Sequence, residues 1–397
     1  MKHFKKFFGP WVFTVALIAL LMGTGSAGAI SATHLRVANC TSGIVPSPNP
    51  GSLNILRGIT YVSENNVWAA GSYVNGQTNL ADTLIEHWNG LQWSLVSSPN
   101  VGSANNYLYG ISADSANDIW AVGYDSTGYT QSIIEHWDGS QWSLIPHPNP
   151  GTGFNYLNGV DAISSYNVWF VGEEINKSQT QDDILIEHWD GTQWTVYTSP
   201  DPGAAENALD SVAAVSPNDI WTVGNYSNTN DHNLTLTEHW NGSSWSWVNS
   251  PSVGSFANFL RGVATVSTND VWAVGFYWAS PGDITDTLTE NWNGSGWNVI
   301  PSPNPPGGDN FLGGVFALNA TNVYAVGSSV SGTLVIKWNG TAWVIIPSFN
   351  VSDASNSLLA ISGPPPNGAS GNSLWAAGFY VNNQNNAENT LIERFCL

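Results

Sequence analysis

An apolar segment that ends in glycine recurs along the chain at nearly constant spacing. Its clearest copy is Asp219-Ile220-Trp221-Thr222-Val223-Gly224. The aromatic positions of the copies are Trp68, Trp120, Trp169, Trp221, Trp272, Tyr324 and Trp375, which lie 52, 49, 52, 51, 52 and 51 residues apart. A fixed period of about 50 residues, carried by strand-forming residues, indicates a repeat protein. The repeat therefore guides the interpretation of every other feature.

Each repeat contains four segments with the alternating apolar and small residues of β-strands. In the unit that begins at Asn207, these segments are 209–215, 220–226, 234–240 and 244–248. Asn241-Gly242 joins the last two and predicts a tight type I′ hairpin, in which both central residues have positive φ. Short antiparallel strands in groups of four, repeated with this period, predict the blades of a β-propeller.

The boundaries of the repeats predict an all-β, seven-bladed β-propeller with four antiparallel strands per blade. We assign residues 1–29 to a signal peptide and 30–397 to a single propeller domain, with blades near 54–103, 106–153, 155–204, 207–254, 258–307, 310–352, and 356–397 plus 43–50. The last repeat stops after its third strand, and 44–50 matches 299–305 almost residue for residue. We therefore expect the N-terminal strand to close the last blade.

The two cysteines of the chain, Cys40 and Cys396, fall at the two sides of that same predicted join. Alignment of the repeats places them where the third-to-fourth-strand hairpin of a complete blade would begin and end. Two thiols facing each other in an exported protein meet an oxidising compartment. We predict a disulfide that replaces the missing hairpin. The alternative is two free thiols far apart.

The N-terminus has the three parts of a secretory signal peptide. Lys2, Lys5 and Lys6 form a basic start, 11–22 is apolar, and the small residues end at Ala27-Gly28-Ala29. Cleavage is expected before Ile30, which makes the protein secreted, without insertion in a membrane afterwards. The alternative is a membrane anchor that is retained.

The charge of the chain excludes several classes of partner. The formal net charge is −20, and loss of Lys2, Lys5 and Lys6 with the signal peptide takes it to −23. Nucleic-acid affinity comes mainly from Lys and Arg, so no nucleic-acid partner is expected. Attraction to an anionic membrane surface is excluded for the same reason. We expect a monomer that needs no cofactor.

The repeat resembles the kelch repeat in three features. Its second strand is apolar and ends at Gly224, an aromatic residue follows at Tyr226, and Trp240 and Trp245 flank the hairpin. Kelch units usually have two adjacent glycines, whereas Val223-Gly224-Asn225 has one. The resemblance implies a propeller but does not specify a partner.

Most repeated polar and aromatic residues have a structural interpretation. The 21 tryptophans recur at equivalent blade positions, which favours packing between blades over sugar binding. Glu-His-Trp, as at 86–88, occurs once per blade in four blades. Its copies are therefore too far apart to supply the ligands of one metal ion. An asparagine precedes every first strand; capping of its own loop is the first interpretation and binding in the central channel the second.

The ligand face is predicted from strand direction. Loops that follow the second and fourth strands of each blade emerge on one side, which we name the long-loop face, and these loops are long and varied. Variable loops on a rigid scaffold are typical of binding surfaces. The predicted ligand-binding residues on this face are Tyr73, Tyr107, Tyr124, Tyr156, Tyr277, Trp278 and Phe311.

Three functions remain open from the sequence. The first is a non-catalytic binding module for a glycan or an extracellular protein. The second is a carbohydrate-active enzyme, a hydrolase or lyase, whose acids lie on the same loops: Glu173, Glu174, Asp183 and Asp286. The third is a purely structural surface protein. The loop acids Asp182-Asp183, Asp231, and Asp283 with Asp286 lack calcium-loop spacing, so no metal site is predicted. A catalytic pair cannot be chosen among these acids, because the separation that the reaction needs is spatial. The sequence contains no nucleophile motif of the Gly-x-Ser-x-Gly type and no phosphate-binding loop.

Overall fold

The computed structural model describes residues 40–126, 130–175, 182–203, 206–230, 232–280, 282, 284–351, 354–365 and 371–397. The predicted signal peptide, Asp231 and Asp283 lie outside this range. The described residues form 28 strands and no helix, so the part of the chain described here contains no helix that could cross a membrane.

The strands form seven groups of four antiparallel strands, which we call blades one to seven. Blades four and five are joined in one eight-stranded sheet by a single parallel pair, Asn233 with Ala257. A short strand, β1, spans Gly43–Ile44. Blade one contains β2 (Ser52–Ser63), β3 (Asn66–Val74), β4 (Ala81–Trp88) and β5 (Trp93–Val96). Blade two contains β6 (Asn106–Ser115), β7 (Asp118–Asp125), β8 (Gln131–Trp137) and β9 (Trp142–Leu144). Blade three contains β10 (Phe154–Ser164), β11 (Asn167–Ile175), β12 (Asp182–Trp189) and β13 (Trp194–Tyr197).

The same plan continues in the second half. Blade four contains β14 (Asn207–Ser216), β15 (Asp219–Ser227), β16 (Asn233–Trp240) and β17 (Trp245–Trp247). Blade five contains β18 (Ala257–Ser267), β19 (Asp270–Trp278), β20 (Asp286–Trp292) and β21 (Trp297–Val299). Blade six contains β22 (Asn310–Asn319), β23 (Asn322–Ser329), β24 (Gly332–Trp338) and β25 (Trp343–Ile345). Blade seven contains β26 (Ala354–Ser362), β27 (Ser373–Asn382) and β28 (Glu388–Cys396), with β1 as its fourth strand. The predicted four-strand repeat is confirmed.

The N-terminal strand pairs with the last strand of the chain, as its sequence predicts. Ile44 lies opposite Glu393 in an antiparallel register, and the amide of Val45 donates to the carbonyl of Ile392 at 2.9 Å. Cys40 and Cys396 form the predicted disulfide, with their Cα atoms 5.7 Å apart. The two ends of the described chain are thus joined by hydrogen bonds and by a covalent bond.

The hairpins between third and fourth strands differ from the predicted type I′ turn. In blade four Trp240 pairs with Trp245, which leaves a four-residue loop, and of the turn residues only Gly242 has positive φ, at 90°. The Oδ1 atom of Asn241 accepts the amides of Ser243 at 3.0 Å and Ser244 at 3.1 Å. The type I′ prediction was wrong because the asparagine side chain closes a wider loop from within.

Tryptophans fill the seams between blades. Trp68 of blade one lies 4.9 Å from Trp137 and 5.8 Å from Trp142 of blade two, measured between ring centroids. Trp68 is 3% exposed, so its large apolar area is removed from water only because the next blade covers it. The structural interpretation of the repeated tryptophans agrees with these contacts.

The same contact occurs between the last blade and the first. Trp375 of blade seven is fully buried and lies 5.1 Å from Trp88 and 5.6 Å from Trp93 of blade one. One core cluster contains these three rings together with Leu56 and Ile392. Blades one and seven therefore pack against each other as consecutive blades do.

The histidines of Glu-His-Trp support these tryptophans. The ring of His87 stacks on Trp68 at 4.2 Å, and its Nε2 atom lies 2.9 Å from Oδ1 of Asn66, which also accepts the Trp68 indole N–H. Lys337 of blade six takes the place of the histidine, with its ammonium group 5.1 Å from the Tyr324 ring centre. A structural role accounts for the motif.

The glutamates at this position of the third strand, four in Glu-His-Trp and two followed by Asn291 and Arg394, are buried between blades, and their burial was not predicted from the sequence. Burial raises the pKa of these carboxyl groups from an ordinary value of 4.5 to about 7–9. The residues, each 0% exposed, are Glu86, Glu135, Glu187, Glu238, Glu290 and Glu393. Ile336, fully buried, stands at the equivalent position of blade six. Because the seams exclude water, the neutral acid is the form that the fold prefers.

We predict that these buried carboxyl groups make the protein lose stability as the pH rises from about 4.5 to about 8. Burial raises the pKa of Glu135 to about 8, so the folded state holds a proton that the unfolded chain releases near pH 4.5. Glu135→Gln keeps the neutral shape and should raise the free energy of unfolding at pH 8 by on the order of 3 kcal/mol relative to wild type. Thermal melts at pH 5 and pH 8 measure this difference.

The control for that experiment is Glu388→Gln, at a partly exposed position of β28. It should leave the pH dependence unchanged. A melting temperature for wild type that is equal at pH 5 and pH 8 would contradict the argument from the buried carboxyl groups.

A second prediction concerns the disulfide, which closes a loop with a sequence separation of 356. Cys40→Ser with Cys396→Ser should lower the free energy of unfolding by on the order of 4–5 kcal/mol in the chain-entropy treatment. Denaturant unfolding with and without reductant measures this loss. The double variant should not respond to reductant, and a wild type that stays equally stable after its bond is reduced would refute the expectation.

Candidate functional site

Every first strand contains a β-bulge at the same place in the repeat. In blade one Leu56 pairs with Gly71 and Gly58 pairs with Ala70, so Arg57 between them has no partner in the ladder. The six other bulges have the same register shift. A Cβ atom on Gly71 would overlap the carbonyl oxygen of Ile55, which explains the glycine that ends the sequence motif. A bulge turns one side chain away from the regular pattern of the strand.

The bulged residue differs in nearly every blade, although its neighbours barely change. A fully buried leucine always precedes it and a small residue always follows it. The seven bulge positions are Arg57, Tyr109, Asn158, Asp210, Arg261, Gly313 and Leu359. These residues were not predicted from the sequence. The signal that could have found them is a variable position inside a closely repeated segment.

All seven bulge positions line one cavity of about 560 Å³, which we call the shared cavity. This volume lies within the range of about 300–1,000 Å³ that is usual for small-ligand sites. Since each blade contributes its bulge residue to the same space, the shared cavity is the one place where the variable positions meet. It is therefore the candidate functional site.

Arg57 has a fixed position but no acidic partner. Its Nη1 atom donates to the Ser72 hydroxyl at 2.8 Å, and its guanidinium carbon lies 4.8 Å from the centre of the Tyr109 ring. No carboxylate of the described residues forms an ion pair with it. The guanidinium group is held by an aromatic face and one hydroxyl, which leaves most of its donors for a ligand.

Arg261 is paired with an acid. Its Nη1 atom lies 2.7 Å from Oδ1 of Asp210. Burial raises the pKa of Asp210 and the nearby Arg261 opposes this effect. The Oδ2 atom of Asp210 is buried without a hydrogen-bond partner among the described residues. Asn158 donates from its side chain to the carbonyl of Leu209 at 3.0 Å. Blades three to five therefore give the cavity a polar wall.

Blades six and seven give it an apolar wall. Gly313 and Leu359 are the bulge residues there, and Phe311 and Phe379 lie beside them in the lining, next to Phe276 of blade five. These three rings are half-buried, so part of each remains open to the cavity. One side of the shared cavity thus suits a charged or polar group and the other an apolar one.

Three of the tyrosines predicted to bind ligand come together at the long-loop end of blades two and three. The centroids of Tyr107 and Tyr124 are 5.2 Å apart, and those of Tyr124 and Tyr156 are 4.8 Å apart. Tyr109, a bulge residue, stacks on Tyr124 at 5.5 Å. Burial and the neighbouring tyrosines raise the pKa of Tyr124, so its phenol is uncharged at neutral pH.

Trp278 and Phe311 belong to a second aromatic cluster, on blades five and six. Both contact Phe276, with centroids 5.9 Å and 4.9 Å away. The Arg261 guanidinium group lies 5.1 Å from the Phe259 ring centre. Each cluster thus has an arginine of the shared cavity against one of its rings.

Tyr73 and Tyr277 are placed differently from the other predicted residues. Their rings pack against the inter-blade cores, and their hydroxyls lie 3.4 Å from Oδ2 of Asp82 and Asp286. Burial raises the pKa of both phenols. The structure does not bring these two residues into either aromatic cluster.

The asparagines that precede the first strands are tied to their own loops. The side chain of Asn54 donates to the carbonyls of Gly51 and Glu388, both at 3.0 Å. All seven are 5% exposed or less, and each donates to backbone carbonyls: Asn54, Asn106, Asn155, Asn207, Asn258, Asn310 and Asn356. This agrees with the capping interpretation.

The loop acids form an acidic side on blades three and four. Burial, followed by the nearby Asp182, Asp210 and Glu206, raises the pKa of Glu173 to about 8. Burial and the nearby Asp183 also raise the pKa of Glu174. Within the described part of the chain, no group of three or more His, Cys, Asp or Glu side chains could hold a metal ion.

Comparison with known proteins identifies the architecture alone. No protein-family model and no curated protein matches the chain. Similar solved structures include "YCF48 bound to D1 peptide" (TM-score 0.55, 13% identity, 90% of this chain and 97% of that chain) and "Structure of U3-55K" (0.57, 11%, 90% and 98%). A third is "Crystal structure of RRP9 WD40 repeats" (0.56, 11%, 90% and 97%). The chain has the fold of a β-propeller repeat protein. At such low identity these similarities carry no assignment of function.

Two adjacent leucines of blade seven should differ in how much they contribute to stability, because only one of them is a bulge residue. Leu358 is fully buried in the seam, whereas Leu359 is half-buried and lines the shared cavity. Leu358→Ala should lower the free energy of unfolding by about 3 kcal/mol, and Leu359→Ala by less than about 1 kcal/mol. Denaturant unfolding of both variants provides the comparison, and equal losses would mean that Leu359 is part of the core.

Proposed function

We propose that this chain is a secreted, non-catalytic binding module that recognises an extracellular protein or a glycan through its long-loop face. The scaffold in this proposal is a closed, seven-bladed propeller of kelch-like repeats, monomeric, with the N-terminal strand completing the last blade. The shared cavity is then its central channel. Secretion is inferred from the signal peptide at 1–29.

One observation carries the proposal. The repeats preserve the residues that pack the blades and vary the residue that each bulge turns into the shared cavity. Packing alone gives no reason for Arg57, Asn158 and Leu359 to replace one another at equivalent positions. Variable side chains that converge on one cavity of a rigid scaffold are the usual arrangement of a recognition site.

The aromatic clusters beside the cavity support the same proposal. Half-buried tyrosine, tryptophan and arginine side chains are the residues most often found at the energetic centres of binding interfaces. A propeller of the same fold, YCF48, is described with a peptide bound. That likeness extends to the fold alone, but it shows that such a scaffold can hold a peptide.

A second candidate function, a carbohydrate-active enzyme on the same face, is favoured by Glu173. Its pKa of about 8 keeps the carboxyl group protonated at neutral pH beside other acids, as a general acid requires. A polysaccharide hydrolysis screen tests this function. Turnover that is lost in Glu173→Gln would establish the enzyme, and no turnover by the wild type would exclude it for those substrates.

The binding proposal predicts a face-specific effect of substitution. The purified protein is applied to a glycan array and to a panel of extracellular proteins, and affinity is then measured for the ligands that bind. Tyr156→Ala with Trp278→Ala, one residue from each cluster, should weaken binding at least about tenfold, because aromatic anchors at interface centres contribute most of the affinity.

The matched control is Tyr166→Ala, at the opposite ends of the strands. This tyrosine is 70% exposed in the turn between β10 and β11 and should not contribute to binding. Binding that is equally affected by both sets of substitutions, or no binding in any test, would contradict the proposal and leave a purely structural role.

A further inference from the structure

Arg57 differs from the other cations that the structure describes. Arg261 and Arg394 each form an ion pair, at 2.7 Å with Asp210 and Glu64 respectively. Lys337, on β24, lies over the ring of Tyr324 and does not line the shared cavity. Among the described residues, Arg57 is therefore the cation that lines the cavity without a carboxylate partner.

This is unusual in a chain with a formal charge of −20 and 29 acidic residues. Acids are available in excess, yet the guanidinium group is held by the Ser72 hydroxyl and the Tyr109 ring. Both neighbours fix its direction without neutralising it. A guanidinium group that is oriented but not neutralised can bind a planar anion. Its N–H donors can form two parallel hydrogen bonds to one carboxylate.

The surroundings of Arg57 indicate what is attached to that carboxylate. In blade order Arg57 lies between Leu359 of blade seven and Tyr109 of blade two. Beyond Leu359 the apolar wall continues with Phe311 and Phe379. A carboxylate at Arg57 would thus have an apolar surface on one side, which suits an apolar side chain on the same residue.

The opposite wall offers a place for a polar backbone. The Oδ2 atom of Asp210 is buried and has no hydrogen-bond partner among the described residues. That oxygen is closed to a ligand, but the Asp210 side chain is 15% exposed and lines the shared cavity with Asn158, so this wall can accept hydrogen bonds from peptide N–H groups. An amide-rich chain supplies such donors at regular spacing.

Sugar binding fits these walls less well. Sugars stack on the open faces of aromatic rings, but here the rings contact one another. Tyr124 contacts Tyr107, Tyr109 and Tyr156, and Phe276 contacts Phe311. These contacts reduce the open face that each ring offers to a sugar, and a sugar acid has no apolar group for Leu359.

We propose that the shared cavity binds the C-terminal end of a polypeptide, with the free α-carboxylate on Arg57 and an apolar terminal side chain against Leu359 and the phenylalanines beside it. This inference rests on the proposed binding function and specifies its ligand. The acidic charge of the rest of the chain favours a partner whose upstream residues are neutral or basic.

The test uses synthetic peptides as probes. Three pools of acetylated hexapeptides are prepared, randomised at the first five positions and ending in Leu, Ser or Lys, each as the free acid and as the amide. Binding to the purified protein is measured at pH 7 by competition with a labelled pool. The Leu free-acid pool should bind at least about tenfold more tightly than its amide and than the Ser and Lys free acids.

Substitution of Arg57 separates a direct role from a structural one. Arg57→Gln should reduce the affinity of the Leu free acid to that of its amide, and should leave the affinity of the amide unchanged. Arg57→Lys should restore part of the difference. Lys337→Gln removes the same charge outside the cavity and should change neither affinity. The comparison of acid with amide on wild type needs no variant, so it decides the question even if Arg57→Gln does not fold.

Several results would overturn the inference. Equal affinity for acid and amide would remove carboxylate recognition while leaving the proposed binding of proteins intact. Equal weakening of acid and amide by Arg57→Gln would make the residue structural. Binding of an oligogalacturonide that depends on Arg57, without binding of any peptide pool, would assign the site to acidic glycans. No binding of any free-acid pool at millimolar concentration would also reject the proposal.

Discussion

The structure depends on one constraint: a single four-stranded blade cannot bury both of its faces. Leu56 and Trp375 are fully buried only because they belong to different blades that press against each other. Six seams repeat this arrangement with a tryptophan of one blade against aromatic rings of the next, and the seam between blades six and seven has Tyr324 with Phe395 instead. Stability in such a protein is built from contacts between neighbours, so every blade depends on the blades beside it.

The same seams explain why polar residues recur with the tryptophans. A buried indole N–H needs an acceptor, which Asn66 provides for Trp68, and His87 then covers the face of the same ring. The glutamates deeper in the seam lack such full compensation, and burial raises the pKa of Glu187 to about 9. They are retained as neutral acids, which couples the packing of the blades to the pH of the surroundings.

Much of the fold could be predicted because its signals are local and repeated. Seven copies of one pattern can be aligned with one another, and the alignment predicts the strand segments and the blade boundaries. It also predicts the pairing of Ile44 with Glu393. The hairpin type could not be predicted, since it depends on where the Asn241 side chain forms its hydrogen bonds. The burial of Glu135 was also hidden, because a strand pattern does not show what the next blade covers.

The candidate site was predicted only in part, for a related reason. Tyr107, Tyr124 and Tyr156 form one cluster, but Tyr73 and Tyr277 have the same sequence signature and pack into the cores instead. The bulge residues could not be predicted, because hydrophobic periodicity does not reveal a one-residue shift in strand pairing. Comparison of the repeats by their differences, rather than by their similarities, would have identified Arg57.

The bulge also explains how one repeat can carry both packing and recognition. A residue at a regular strand position either packs between blades or pairs with a neighbouring strand, so a substitution there disturbs the fold. Arg57 and its counterparts are removed from the ladder between Leu56 and Gly58, and their side chains face an open cavity. Because these positions have little effect on packing, each blade can hold a different residue there. Variation at the bulge can therefore change what the cavity binds while the seams keep the blades together.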